Sequence, residues 1–458
     1  MLKTALCCIG ICCCFFSGLG QRTVALEQFL RTEGLKNAAI GISVCRVSDG
    51  ETVVEWQPDM ALTPASVAKL FPTWFALQQK GKDYRYKTPV CYSGEIEQGI
   101  LSGDLVVKAS GDPTLDSRYF PSSPGLNFIV KAIEQKGIKT IRGKIKVEGA
   151  QVGTSIPGSW LWEDVSNYYG ARYLPFNYRD NTFILQFQTG APGTSAKLSG
   201  VVPELPGIEI RNQVKASAIR TDDAWIYGGP YSRVLCVKGS IPSHRTVFQV
   251  KGALHDPAVA FVHELTKALA AKGIPVEGKN VRGTAENELC ILVSPRLEEI
   301  VFHTNKASVN LFAEALGYLS AGEHWPQKVP DLLTGAGITA KGIIVKDACG
   351  LSPMNAIPAR IITDLLSAIA REENGAFLAS LPVAGVDGGL AGYCHASPLL
   401  KRNMMAKTGS MSGVRCLAGY LTDREGEKWA FTVLINHYTC TASQLQRAVG
   451  RFLEALIR

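Results

Sequence analysis

Three short runs, well separated along the 458-residue chain, carry groups that together can transfer an acyl group: Ser66-Val-Ala-Lys69, Ser308-Val-Asn310 and Lys407-Thr408-Gly409. Ser66 and Lys69 are three residues apart, so on a helix both side chains share a face and can hydrogen-bond. A serine hydroxyl is inert at neutral pH until a neighbouring base takes its proton. A lysine serves as that base only where partial burial and nearby cations depress its pKa. Lys407 would be one such cation. Thr63-Pro64-Ala65 predicts a helix start at Ser66, where backbone N–H groups point outward. The plainer reading is an exposed Ser and Lys on an ordinary helix; the order of the three runs weighs against it.

Ser308 and Asn310 fit a loop-to-helix turn. Ser308 would relay a proton between Lys69 and a leaving amine, and Asn310 would hold a peptide carbonyl, although Ser308 alone would read as a helix cap. Lys407-Thr408-Gly409 precedes a strand-like run. Lys407 offers a positive field and Thr408 a hydroxyl for a terminal carboxylate, and Gly409 lets a substrate backbone come close. The backbone N–H groups of Ser410 and Ser66 are the expected oxyanion hole. No metal or cofactor is expected: the seven histidines show no ligand spacing, and His263-Glu264 lacks the second His of a helical zinc motif.

Length predicts two or three domains, and 46% hydrophobic with 19% charged residues is an ordinary globular balance. The net charge of +8 is scattered, with no basic helix or stacking motif for nucleic acid; it suits an anionic polymer such as a cell wall. Lys3, the apolar run from Ala5 to about Phe16, and Ser17, Gly18 and Gly20 read as an export signal, 1–20. Five of thirteen cysteines (Cys7, Cys8, Cys12, Cys13, Cys14) would leave with it. Later stretches are too short to span a bilayer, so no stable membrane insertion is expected after cleavage. The remaining cysteines, Cys45, Cys91, Cys236, Cys290, Cys349, Cys394, Cys416 and Cys440, are irregularly spaced and read as small buried thiols rather than a disulfide framework.

Alternating apolar residues predict strands at 38–47 and 52–56, joined by Ser48-Asp49-Gly50. A helix follows from Ser66 towards Gln79, with Pro72 predicting a kink or a short first piece. Short strands with turn signals then dominate to about Leu289, interrupted by helices at 126–136 and 257–272. Helices follow at 305–319 and 358–370, then strands at 414–421 and 429–436 around a hairpin at 423–427, and a last helix at 441–456. Over half the chain separates Ser66 from Ser308. A site using both must be built from both ends: 21–87 as the first part of a catalytic domain, 88–289 inserted, and 290–458 as its second part.

The chain resembles the D-alanyl-D-alanine carboxypeptidase/endopeptidase family, the low-molecular-mass class C penicillin-binding proteins. The likeness runs through Leu62-Thr63-Pro64-Ala65-Ser66, Gly103-Asp104-Leu105, Gly111-Asp112-Pro113-Thr114-Leu115 and Trp162-Glu163-Asp164. It continues through Asn305-Lys306-Ala307-Ser308, Gly350-Leu351-Ser352, Leu381-Pro382-Val383-Ala384-Gly385 and Lys407 to Tyr420. The resemblance implies an α/β (α+β) fold: a serine β-lactamase/transpeptidase-like catalytic domain, split in sequence, with inserted mostly-β or α+β modules. It implies cleavage of terminal D-Ala from peptidoglycan stem peptides or of their crosslinks, β-lactam antibiotics as covalent inhibitors, and a periplasmic location. It further implies a diaminopimelate side-chain pocket of Asp164, Tyr169, Met411 and Ser412. The chain departs from the family in having Pro353 where an arginine is common, and a Gly in Asp387-Gly388-Gly389-Leu390 where Thr is usual.

Two alternatives remain at this level. A β-lactamase shares the fold but needs a second base for deacylation, and Leu311-Phe312-Ala313 after the second motif offers no obvious glutamate. A non-catalytic wall-binding protein would not be expected to keep Ser66, Lys69, Ser308, Asn310 and Lys407 together.

Overall fold

The computed structural model of the chain describes residues 20–150, 156–230, 232–281, 286–372, 374–393, 395 and 397–458. Most of the expected export signal and Cys394 lie outside them. The chain divides into two compact units, one formed by 1–79, 301–308 and 320–458, the other by 80–300 and 309–319.

The first unit is built on a five-stranded antiparallel sheet in the order Met404–Met411, Val414–Thr422, Lys428–Asn436, Ala39–Arg46, Thr52–Trp56. The amino-terminal hairpin therefore pairs with a carboxy-terminal meander, Ile42 opposite Val433. Strand alternation sends Ile40, Ile42 and Val44 into a core with Phe431, Val433, Leu445, Val449 and Phe452. There the helix at residues 20–30 meets the helix Ala442–Leu456, Phe29 stacking on Phe452 at 5.1 Å. The opposite face carries small and polar groups, and the helix Ala359–Arg371 packs on it. Thr363 Oγ1 donates to Thr432 Oγ1 (2.9 Å), the Cys45 thiol meets Ser367 Oγ (3.0 Å), and Tyr420 Oη donates to the carbonyl of Leu366 (2.7 Å). Covering both faces explains why Lys428–Asn436 reads as a continuous apolar run.

The second unit holds two cores. A four-stranded sheet (Glu286–Val293, Lys87–Ser93, Leu105–Lys108, Ile145–Glu148) packs with the helices Leu126–Gln135 and Pro257–Ala271. Two three-stranded sheets enclose the other core: Lys197–Val202, Thr182–Gln188, Phe248–Ala253, and Glu209–Ser217, Val234–Pro242, Asp223–Tyr227.

The structure shows the short first piece expected before the helix and corrects two other local readings. The expected helix from Ser66 is a 3-10 turn, Ala65–Lys69, followed by an α-helix, Leu70–Lys80, with Pro72 in its first turn, where a missing N–H costs nothing. The expected helix at 305–319 is two, Leu297–Lys306 and Asn310–Ala321, broken at Ser308, whose φ is +57°. Lys407-Thr408-Gly409 lies inside the edge strand Met404–Met411 rather than before a strand. The seven described cysteines are free thiols, with Cys45, Cys91, Cys349 and Cys416 buried. Among the described residues no helix is long and apolar enough to cross a membrane.

The buried hydroxyl contact between helix and sheet yields a test. Thr363→Val removes a partner from Thr432, which is itself fully buried, and should cost about 1–3 kcal/mol, read as a lower thermal midpoint. Thr363→Ser, which keeps the hydroxyl, should recover most of the loss; equal loss in both variants would show that methyl packing, not the hydrogen bond, holds the helix.

Candidate active site

The segment leading to Ser66 is clamped to the sheet. Thr63 N donates to Asn436 Oδ1 (2.9 Å), and Asn436 Nδ2 returns a bond to the Thr63 carbonyl (3.1 Å). Two glycines let backbone come within contact of the nucleophile's turn. A Cβ at Gly409 would lie 2.6 Å from the Pro64 carbonyl and 3.1 Å from the Ser66 N. A Cβ at Gly350, whose φ is +81°, would lie 1.9 Å from the Ala65 carbonyl. Ala65 itself sits at φ +46°, a strained value for a residue with a side chain.

Lys69 Nζ lies 2.8 Å from Ser66 Oγ and donates to the Cys349 carbonyl at 2.6 Å. Lys407 Nζ donates to Ser308 Oγ at 2.9 Å and to the Thr408 carbonyl at 2.8 Å. The two lysines are 0% and 1% exposed. Burial, and after it the charge on Lys69, hold the Lys407 ammonium well below the ordinary lysine range. The left-handed turn at Ser308 presents its hydroxyl to Lys407. Thus Ser66, Lys69, Ser308 and Lys407 come together in the first unit, with Gly409 against the Ser66 backbone. Thr408 is half-buried next along the strand, and Ser410, Met411 and Ser412 follow at its open end, Ser410 and Ser412 exposed.

The loop that presents the Cys349 carbonyl contains the Gly350-Leu351-Ser352 block of the family likeness, but its contact with Lys69 was not read from sequence. Asp347, buried, organises it: Oδ1 accepts from Gly350 N (2.8 Å) and Asn355 Nδ2 (2.8 Å), and Oδ2 from Ser352 N (2.6 Å). The Asp three residues before a Gly was a turn signal that could have drawn attention to it. Asn436 was also missed, and no local signal exists, since it meets Thr63 across 373 positions.

The other candidate residues lie in the second unit. Asn310 Nδ2 donates to the Tyr169 carbonyl at 2.7 Å. Asp164, on the one-turn helix Trp162–Val165, is buried and hydrogen-bonded to the Tyr169 hydroxyl. Burial raises the Asp164 carboxyl, with the bond from Tyr169 opposing; burial also raises the Tyr169 phenol, with the Asp164 charge adding to it.

The chain is similar to proteins of known activity. The D-alanyl-D-alanine carboxypeptidase DacB of Haemophilus influenzae is 26% identical over 429 residues, covering 87% of this chain and 86% of that protein. The D-alanyl-D-alanine carboxypeptidase of Actinomadura sp. strain R39 is 27% identical, covering 90% and 80%. Solved structures of penicillin binding protein 4 (dacB) from H. influenzae, alone and complexed with a β-lactam, match with TM-scores of 0.77 and 0.74 at 23% identity, each covering 92% of this chain and 98% of that one. Residues 22–456 match the model of one family across both units, and the chain belongs to that family, the D-Ala-D-Ala carboxypeptidase 3 (S13) family.

Proposed function

We propose that this member of the carboxypeptidase family is an exported, periplasmic serine enzyme that removes D-Ala from peptidoglycan stem peptides and cuts their D-Ala crosslinks through an acyl-enzyme on Ser66. The observation that carries this reading is the 2.8 Å contact between Ser66 Oγ and a fully buried lysine whose neighbourhood contains a second buried lysine. Two ammonium groups removed from water repel strongly, so the pair favours one neutral member. Neutral Lys69 accepts the Ser66 proton while keeping its bond to the Cys349 carbonyl, and Ser66 Oγ attacks the carbonyl carbon of the penultimate D-Ala.

The oxyanion is held by the N–H groups of Ser66 and Ser410. The proton taken up by Lys69 is relayed through Ser308, itself bonded to Lys407, to the departing amine, which leaves Lys69 neutral again, and Lys407 with Thr408 and Ser410 receives the terminal carboxylate. Asn310 holds the stem peptide and Asp164 with Tyr169 receives its amine-bearing side chain, for which the family resemblance also assigns Met411 and Ser412. Water then releases the acyl group. A β-lactam acylates the same serine, but its leaving group stays tethered, so the adduct persists. The complex of the H. influenzae protein with a β-lactam supports this assignment.

Ser66→Ala should abolish both covalent labelling by fluorescent penicillin and release of D-Ala, with an unchanged melting temperature. Lasting label on the wild type is expected; label on the alanine variant would remove Ser66 from the nucleophile role, and rapid loss of label from the wild type would indicate a β-lactamase.

Asp164→Asn should slow turnover of stem peptides with a free side-chain amine by roughly tenfold, the worth of one charge-assisted contact of about 1–3 kcal/mol. Penicillin acylation, which lacks that amine, should not change. Because burial raises the Asp164 carboxyl, the wild-type preference for amine-bearing peptides should fade as pH falls, and at a higher pH than an ordinary aspartate would give. Equal slowing of both reactions by Asp164→Asn would make Asp164 a structural residue.

A further inference from the structure

The outer face of the sheet Glu209–Ser217, Val234–Pro242, Asp223–Tyr227 has no role in the chemistry above. Its inner face is fixed by Val214, Ile226, Leu235 and Val237, all buried in the unit's second core. Strand alternation therefore turns Trp225 and Tyr227 of the edge strand outward. Across the ladder, Trp225 pairs with Lys238 and Lys238 with Gln213, so these share the face. Arg211, Lys215 and Lys238 on it are exposed. Trp162, from the one-turn helix that carries Asp164, lies against Tyr227 with ring centroids 5.1 Å apart and planes tilted by 39°. Lys238 Nζ stands 4.6 Å from the centre of the Tyr227 ring. Trp162 is 67% exposed, the most exposed large apolar side chain among those described.

A largely exposed indole has no reason in the core to be held in place, yet this one is propped on a tyrosine that a cation in turn buttresses. Water-exposed apolar surface of this kind points to a binding function. We propose that this face is a docking platform for the glycan backbone of the polymer whose stem peptides occupy the active site, with Trp162 stacking on a pyranose ring. The proposal rests on the function inferred above.

Three features favour a glycan over a protein partner. One face of a pyranose presents C–H bonds of partial positive charge, which match the negative face of an aromatic ring. The indole is held by Tyr227, so little side-chain freedom is lost on stacking. The surroundings are mostly Lys, Arg and Gln, with Arg211 paired to Glu209 at 2.8 Å and the Trp225 indole N–H donating to Asp223 at 3.2 Å; lysine is depleted at protein interfaces, whereas the exposed Lys215 and Lys238 suit a chain bearing carboxylated peptides. Trp162 and Asp164 are two positions apart on a helical turn and so project from different sides, which leaves the indole separate from the carboxylate.

Pelleting with purified peptidoglycan sacculi tests the platform, using full-length wild type, Trp162→Ala and Lys238→Gln. Trp162→Ala should lower the bound fraction at least fivefold, and Lys238→Gln two- to threefold and only at low salt. Both should keep wild-type penicillin labelling, which reads Ser66 independently, so failure of the platform and failure of the acyl-enzyme reading are told apart. In a second measurement, soluble glycan strands stripped of peptide should change the tryptophan fluorescence of the wild type, and Trp162→Phe should remove most of that change. This measurement decides the matter even if Trp162→Ala misfolds and loses its label. Unchanged pelleting by a correctly folded Trp162→Ala, or no fluorescence response to peptide-free strands, would overturn the proposal; a response only to peptide-bearing material would assign binding to the cations and stems instead of the sugar rings.

Discussion

Two buried lysines facing two serine hydroxyls set the terms for the first unit. Each ammonium removed from water costs several kcal/mol even after relaxation, and each feels the other's charge. Hydrogen bonds answer part of that cost: the Cys349 carbonyl and Ser66 hydroxyl serve Lys69, and the Thr408 carbonyl and Ser308 hydroxyl serve Lys407. Four oxygens are thereby committed to two nitrogens. The remaining repulsion is relieved when one lysine gives up its proton, which is the condition for a lysine to act as a base at neutral pH.

Holding those groups in register requires backbone from distant parts of the chain. The sheet joins the two ends, so the pairing of Ala39–Arg46 with Lys428–Asn436 ties the amino-terminal part that bears Ser66 to the meander that bears Lys407. Asn436, at the end of that pairing, clamps Thr63. Gly409 and Gly350 then bring strand and loop against the Ser66 turn from two directions, where any Cβ would collide with backbone. Strain at Ala65 and Ser308, both at positive φ, is sustained by this surround.

How much of this was legible follows from the range of the forces involved. The Ser66–Lys69 contact is a local consequence of helical spacing, and it is present. The helix Pro257–Ala271, capped by Asp256 with Pro at its start, and the strand Thr52–Trp56 are likewise local and were read within a residue or two. The helix start after Ser308 was legible from the Ser308–Asn310 pair, but the helix Leu297–Lys306 before it was not, because residues 305–319 contain no proline and their single glycine, Gly317, comes well after the break; the left-handed turn at Ser308 and its contact with Lys407, 99 positions away, leave no local signal. Lys407-Thr408-Gly409 was placed just before a strand rather than within one, because Thr-Gly-Ser has little strand propensity by itself; pairing with Val414–Thr422 extends the strand through it. The helix Trp325–Gly335 was missed since Pro326 and Pro330 read as breakers, although Pro326 sits in the first turn, where proline is tolerated. The parallel pairing of Glu209–Ser217 with Val234–Pro242 is non-local and leaves no trace in either segment alone.

The coupling between the two lysines is the account's central claim, and the pH dependence of penicillin acylation in wild type and Lys407→Gln measures it directly. In the wild type, acylation should fall as the pH is lowered, since a protonated lysine cannot accept the Ser66 proton. Lys407 and Lys69 repel when both carry a charge, so removing the ammonium at 407 makes protonation of Lys69 easier and the midpoint of the fall should move to higher pH. A midpoint that stays in place, or moves to lower pH, would contradict the claim that Lys407 keeps Lys69 neutral.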